Sequence, residues 1–147
     1  MLQPVARTII PDVIQEQELA TLPPSASVAA AIELMVSRRI GAVPVSDNGR
    51  LIGIFTERDV VTRVVSAGLD AAKTALRTVM TPDPAVLTPG DSVRSALDLM
   101  NRGHFRHLPV IGAGRLMGIV SIRDLYRSVV EQMESDIIML AEGLLQG

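Results

Sequence analysis

The sequence predicts an α+β fold in which two copies of one β-α-β-β-α unit pack as a single pseudo-twofold pair. The first observation is an internal repeat: residues 21–59 align without a gap with residues 86–124, and 16 of the 39 positions are identical. The second is that both copies show the same order of helical and alternating apolar patterns. The third is composition, since 48% of the 147 residues are hydrophobic and 20% are charged, which suits a buried core.

The repeat also sets the predicted domain boundaries. A weaker similarity upstream, between residues 7–10 and 77–80, extends each unit toward its N-terminus. We therefore expect a first repeat over 7–66, a connector over 67–77, a second repeat over 78–131 and a C-terminal helix extension over 132–147. A unit of about 60 residues would be only marginally stable alone, so the two are expected to form one body.

Each unit begins with a short strand, near Ala20–Leu22 or Ala85–Thr88, followed by a helix. Ser27 and Ser92 precede apolar residues at helical spacing and are the expected N-caps.

Two strands and a second helix complete each unit. The turn residues Asp47-Asn48-Gly49 and Gly112-Ala113-Gly114 predict hairpins. The predicted strands are Ala42–Val45 with Leu51–Phe55 and Leu108–Ile111 with Leu116–Val120. The following helices begin near Glu57 and Ile122.

The last helix runs from Asp124 to Leu145 and carries more apolar residues than one small unit needs to dock it. Two interpretations stay open. The stripe either forms a surface for a partner, with a homodimer expected, or folds back as a cap over the core.

Several classes of function are disfavoured by composition. No uncharged apolar run is long enough for a membrane span, and the first residues do not resemble a signal peptide. The absence of cysteine suits a reducing compartment, and the expected location is the cytoplasm. A net charge of −2 with three aromatic residues argues against nucleic-acid binding. His104 and His107 make a poor metal site, and the chain offers no nucleophile with an acid–base partner, so neither a metal nor an enzyme is expected.

The segments GIFTERD (53–59) and GIVSIRD (118–124), each preceded by a hydrophobic-Pro-Val strand and a hairpin, resemble a tandem pair of cystathionine β-synthase (CBS) domains, the Bateman module. The chain is similar to short stand-alone bacterial CBS-pair proteins, although Arg123 stands where glycine is expected in that subgroup. The resemblance implies a regulatory module that binds AMP, ADP, ATP, NAD(H) or S-adenosylmethionine between its repeats and signals occupancy to a protein partner. It implies no catalytic cofactor.

The two Thr/Ser-x-x-Asp segments have two interpretations. Thr56 with Asp59, and Ser121 with Asp124, match a capping box in which hydroxyl and carboxylate serve only the helix start. The same groups could also hold a ligand, with the carboxylate accepting hydrogen bonds from a ribose diol.

The resemblance assigns residues to two clefts that are not equivalent. Arg106 and His107 stand where Gly41 and Ala42 stand in the first repeat, and basic residues at this place approach the phosphate in AMP-binding relatives. The alternative for that pair is an exposed polar strand edge. The first cleft is expected to use Thr8, Ile10, Ile40, Arg106, His107, Ser121 and Asp124. The second is expected to use Thr78, Met80, Phe105, Gly41, Ala42, Thr56 and Asp59, and to take a ligand without a terminal phosphate or none.

The expected function is therefore a non-enzymatic sensor of an adenine nucleotide. The alternatives are a dimerising scaffold with empty clefts, or a small enzyme such as a nucleotide hydrolase.

Overall fold

We describe a computed structural model of the chain over residues 7–146. Each repeat is built on one antiparallel hairpin, because turn residues with positive φ separate two apolar strands. Asn48 and Gly49 have φ of 51° and 78°, and Ala113 and Gly114 have φ of 51° and 73°. The predicted hairpins are confirmed. Their strands are β1 (Ala42–Asp47) with β2 (Arg50–Thr56), and β4 (His107–Gly112) with β5 (Arg115–Ser121).

The two helices that precede the hairpins begin where the sequence predicts. They are α1 (Val28–Arg38) and α3 (Val93–Gly103). The hydroxyl oxygens of Ser27 and Ser92 each accept a hydrogen bond, 3.1 Å long, from the backbone N–H three residues further on. The predicted N-caps are confirmed.

The predicted strands at Ala20–Leu22 and Ala85–Thr88 are wrong. Only one residue of each segment pairs, in parallel isolated bridges of Leu22 with Val45 and of Leu87 with Val110. A proline follows closely in both places, and its missing N–H prevents a longer ladder. One strand was not predicted: β3 (Thr81–Pro82) pairs with β2, which gives one three-stranded and one two-stranded sheet.

The first residues of each repeat, together with the end of the connector, pack against the core of the other repeat. Ile9 and Ile14, which flank a π-helical turn (Ile9–Val13), are buried in the core of the second repeat. Leu76 and Val79, at a 3₁₀ turn (Leu76–Thr78), are buried in the core of the first. Each core is therefore completed by chain from outside its own repeat, and the two repeats are tied together.

The helices after the hairpins differ in length. The first is a short α2 (Glu57–Asp59) that continues as π-helix through Val60–Val65. The second is α4 (Ile122–Gln146), a single helix of 25 residues. No helix in residues 7–146 is both long and apolar enough to span a membrane. The C-terminal half of α4 is exposed rather than folded over the core, so the interpretation as an intramolecular cap is wrong.

Candidate functional site

One cavity of about 1,710 Å³ lies between the two repeats and joins residues that the sequence analysis assigned to two separate clefts. Ten of the fourteen predicted site residues line it. From the first expected cleft come Ile40, Arg106, His107, Ser121 and Asp124, and from the second come Gly41, Ala42, Thr56, Asp59 and Phe105. The pseudo-twofold repeat explains this, because equivalent loops of both copies face the same space.

The other four predicted residues do not line the cavity. The Thr8 hydroxyl donates to the carbonyl of Ile10, 3.0 Å away, and the Thr78 hydroxyl donates to the carbonyl of Ala75, 2.7 Å away. Ile10 and Met80 pack against the two hydrophobic cores. A contact of these four residues with a base stays a prediction.

Both Thr/Ser-x-x-Asp segments form reciprocal capping boxes. The N–H of Thr56 donates to Asp59 Oδ2 at 2.9 Å, and the N–H of Asp59 donates back to Thr56 Oγ1 at 3.3 Å. In the second repeat the Ser121 N–H to Asp124 Oδ2 distance is 2.9 Å, and the Asp124 N–H to Ser121 Oγ distance is 3.1 Å. The capping interpretation is thus confirmed, and it leaves the other oxygen of each carboxylate outside the box.

In each repeat that second oxygen forms an ion pair with an arginine. Arg63 Nε lies 3.5 Å from Asp59 Oδ1, and an Arg127 Nη lies 3.7 Å from Asp124 Oδ1. The Asp59 side chain is 11% exposed and the Asp124 side chain 23% exposed. Asp124 is therefore the more accessible carboxylate for a ligand.

The two halves of the cavity meet at Gly41 and His107. A Cβ placed on Gly41 would lie 2.9 Å from His107 Nε2 and 2.5 Å from Glu57 Oε1, so only glycine leaves both side chains in place. Burial lowers the pKa of His107 below its ordinary value, although Glu57 and Asp124 act to raise it. Since its pKa lies below 6.5, His107 is mostly neutral at pH 7 and can accept a hydrogen bond.

The charge of the lining was largely missed by the sequence analysis. Seven arginines and four acidic side chains line the cavity, an excess of three positive charges in a chain whose net charge is −2. The arginines are Arg38, Arg39, Arg58, Arg63, Arg106, Arg123 and Arg127. One signal was available in the sequence, because Arg58 and Arg123 occupy the same place in the two repeated motifs.

No cluster of three or more histidine or acidic side chains suited to a metal ion occurs in the described part of the chain. Arg106, just before β4, is exposed, and His107, the first residue of β4, is half-buried, as expected for groups at a cavity wall.

Two antiparallel hairpins, first residues that pack into the core of the opposite repeat and a shared cavity define a paired, duplicated domain. The model of the CBS domain matches residues 10–66 and again residues 76–131. The chain belongs to the CBS domain family and carries a tandem pair, so the predicted family and fold class are confirmed.

The similar proteins and solved structures are also CBS-domain proteins. The CBS domain-containing protein CBSCBSPB3 of Arabidopsis thaliana is 35% identical over 78% of this chain, which spans only 21% of the plant protein. A protein with CBS domains from Burkholderia ambifaria, assigned to signal transduction, is 34% identical with a TM-score of 0.76, covering 79% of this chain and 85% of that one. A hexameric CBS-CP12 protein from bloom-forming cyanobacteria is 28% identical with a TM-score of 0.76, covering 84% and 72%.

CBS-pair proteins are generally regulatory modules rather than enzymes, and some structural neighbours are oligomeric.

Proposed function

We propose that this protein is a regulatory module that binds an adenine nucleotide in the cavity between its repeats and signals occupancy to a protein partner. The observation that carries the proposal is the joint lining of one cavity by both hydroxyl–carboxylate pairs, by Arg106 and His107, and by an excess of positive charge.

The charge of the lining favours an anion. An excess of three positive charges in a partly enclosed space attracts a phosphate group, since opposite charges interact more strongly away from bulk water. Arg106 forms no ion pair with another described residue, so its guanidinium is free to bind a phosphate through two parallel hydrogen bonds. AMP should therefore bind more tightly than adenosine.

The carboxylates supply the complementary half of the site. Asp124 Oδ1 lies outside the capping box and its Arg127 partner is mostly exposed, so a ribose diol can compete for that oxygen. Hydrogen bonds to an ionised acceptor are the stronger kind. The same geometry is present at Asp59, which is less accessible.

The test is calorimetric titration of AMP, ATP, NAD⁺, S-adenosylmethionine and adenosine into the protein. We expect AMP to bind, and we expect Arg106→Ala to remove most of the preference for AMP over adenosine. Arg94→Ala is the control, because Arg94 is exposed on α3 and does not line the cavity. Absence of binding for all five ligands would contradict the proposal. An equal loss of affinity for AMP and for adenosine in Arg106→Ala would indicate that Arg106 supports the fold of the site rather than binding the phosphate.

Signalling to a partner is tested separately. Affinity capture is carried out with the immobilised wild-type protein, with and without AMP, and should retain a partner protein in an amount that depends on AMP. With immobilised Asp124→Asn, the amount retained should not depend on AMP. A captured set that is unaffected by AMP would contradict this part of the proposal.

A further inference from the structure

A second, smaller pocket lies at the tips of the two hairpins, apart from the cavity between the repeats. Its volume is about 360 Å³. It is bounded by the first hairpin over 48–51, by the second hairpin over 111–116, and by the connection over 83–86 that joins the two sheets. None of the fourteen predicted site residues lines it, and Pro84 is the one residue that it shares with the larger cavity. The proposed function therefore does not use this pocket.

The connection between the sheets is anchored at both ends. The N–H of Asp83 donates to the carbonyl of Ile52 on β2 at 3.0 Å, and the N–H of Leu87 donates to the carbonyl of Pro109 on β4 at 2.8 Å. At the first anchor Asp83 has a φ of 43°, which is unfavourable for a residue other than glycine and even more so before a proline. Strained backbone of this kind is concentrated at functional sites.

A similar crossing between the sheets occurs at the place related by the pseudo-twofold axis. The N–H of Gln17 donates to the carbonyl of Met117 on β5 at 2.9 Å, as the N–H of Asp83 does on β2. Gln17 therefore stands where Asp83 stands. At this crossing Arg115 forms a 3.0 Å ion pair with the adjacent Glu16, so its charge already has a partner.

At the pocket the corresponding charges are not paired. Arg50 is the repeat equivalent of Arg115, and it lines the pocket together with Asp83. Both residues are exposed, and neither forms an ion pair with another residue in 7–146. A guanidinium and a carboxylate therefore border one small pocket, and both are available to a ligand.

The lining defines the class of ligand. One positive and one negative charge give the pocket no net charge, whereas the larger cavity has an excess of three positive charges that suits a phosphate. The volume of about 360 Å³ lies at the lower end of the range of small-molecule sites, about 300–1,000 Å³. Much of the remaining lining is apolar and comes from Leu51, Val86, Ile111 and Leu116. These properties fit a small zwitterion with an apolar side chain.

We propose that the pocket at the hairpin tips binds a free apolar α-amino acid. The Arg50 guanidinium donates two parallel hydrogen bonds to the ligand carboxylate, and the Asp83 carboxylate accepts from the ligand ammonium group. The apolar side chain of the ligand lies against the four apolar residues of the lining. Because both charged residues are exposed to solvent, the affinity is modest, with a Kd of ~1 mM.

Titration of isotope-labelled protein with L-leucine, followed by nuclear magnetic resonance without nucleotide, locates the ligand. Up to about 20 mM, we expect saturable shifts at the amides of Gly49 and Gly114, which line the pocket, and none at Gly41, which lines the larger cavity. Leucinamide lacks the carboxylate and isocaproate lacks the ammonium group, so each should bind at least fivefold more weakly. Absence of saturable shifts, or equal binding of the three compounds, would overturn the proposal.

Matched substitutions at the two crossings test the two charges. Arg50→Gln and Asp83→Asn should each weaken L-leucine binding at least fivefold, and asparagine tolerates the positive φ at position 83. Arg115→Gln and Glu16→Gln are the controls, because they remove the same charges from residues that do not line the pocket. Circular dichroism checks that all four variants are folded. Equal losses at the two crossings would refute direct contact with the ligand.

One further variant separates this site from the proposed nucleotide site. Arg106 lines the larger cavity and not the pocket, so Arg106→Ala should leave L-leucine binding unchanged whether or not AMP binds. Loss of L-leucine binding in Arg106→Ala would place the amino acid in the cavity between the repeats and refute the pocket as its site.

Discussion

Replacing Asp124 by asparagine separates the capping role of this residue from its proposed role in ligand binding. The volume is conserved, and an amide oxygen can still accept the hydrogen bond that the Ser121 N–H donates at 2.9 Å. What disappears is the negative charge at the start of α4, together with the 3.7 Å ion pair to Arg127. The change therefore affects charge at constant geometry.

The loss of stability without ligand should be small. The Arg127 side chain is 62% exposed, so solvent screens its ion pair and little stability comes from it. Weakening the cap accounts for the rest, and we expect a loss of about 0.5–1 kcal/mol, within the range of capping substitutions. For a chain of this size that corresponds to a decrease in Tm of about 2–4 °C.

The effect on binding should be larger. If the Asp124 carboxylate accepts from a ribose diol, losing one charge-assisted hydrogen bond worth about 1.5–3 kcal/mol weakens AMP binding ~10-fold or more. Calorimetric titration measures this loss independently of the change in Tm. If Asp124 serves only as a cap, the stabilisation by saturating AMP stays unchanged, because it depends only on concentration and Kd.

Asp59→Asn is the matched control. Asp59 forms the same capping box but its side chain is only 11% exposed, against 23% for Asp124. We expect Asp59→Asn to reduce stability more and AMP affinity less than Asp124→Asn. The reverse order of affinities would show that the first repeat supplies the ribose site. Unchanged affinity in both variants would refute a ribose role for either carboxylate.

Three further changes test other features of the structure. Because burial lowers the pKa of His107, the unfolded state binds a proton there more readily, so stability should fall as the pH decreases through about 6.5. Chemical denaturation at pH 7.5 and 5.5 should show a smaller fall in the free energy of unfolding for His107→Asn than for the wild type, and the variant His104→Asn, at an exposed histidine, is the control. Gly41→Ala places a Cβ 2.5 Å from Glu57 Oε1 and 2.9 Å from His107 Nε2, and because both are side-chain ends that can move aside, it should destabilise by less than about 1 kcal/mol, whereas Gly143→Ala, in open space on α4, should stabilise by up to about 1 kcal/mol. Equal melting temperatures for the two alanine variants would contradict that contact. Ser92→Ala should remove the cap of α3 and destabilise by about 1 kcal/mol, and an unchanged urea midpoint would refute the capping role.

Local features were predictable wherever local chemistry decides them. The N-caps at Ser27 and Ser92 depend on one hydroxyl and the next three residues, and the hairpin turns depend on residues that accept positive φ. The capping boxes likewise involve groups only three residues apart. Segments 20–22 and 85–88 were mispredicted because a strand exists only if a neighbour pairs with it along its length, and the prolines nearby limit that pairing.

The sequence alone determined the duplication, the order of elements within each copy and the hydroxyl–carboxylate pairs, since all of these lie in short stretches of chain. Only the tertiary structure decided that the two expected clefts are one cavity, that Gly41 approaches His107, and that seven arginines from separate segments share one lining. Only the tertiary structure also left the C-terminal half of α4 exposed. The physical reason is the same in each case: cavities, charge clusters and uncovered faces arise from contacts between residues distant in the chain, and these are fixed when the two repeats pack together.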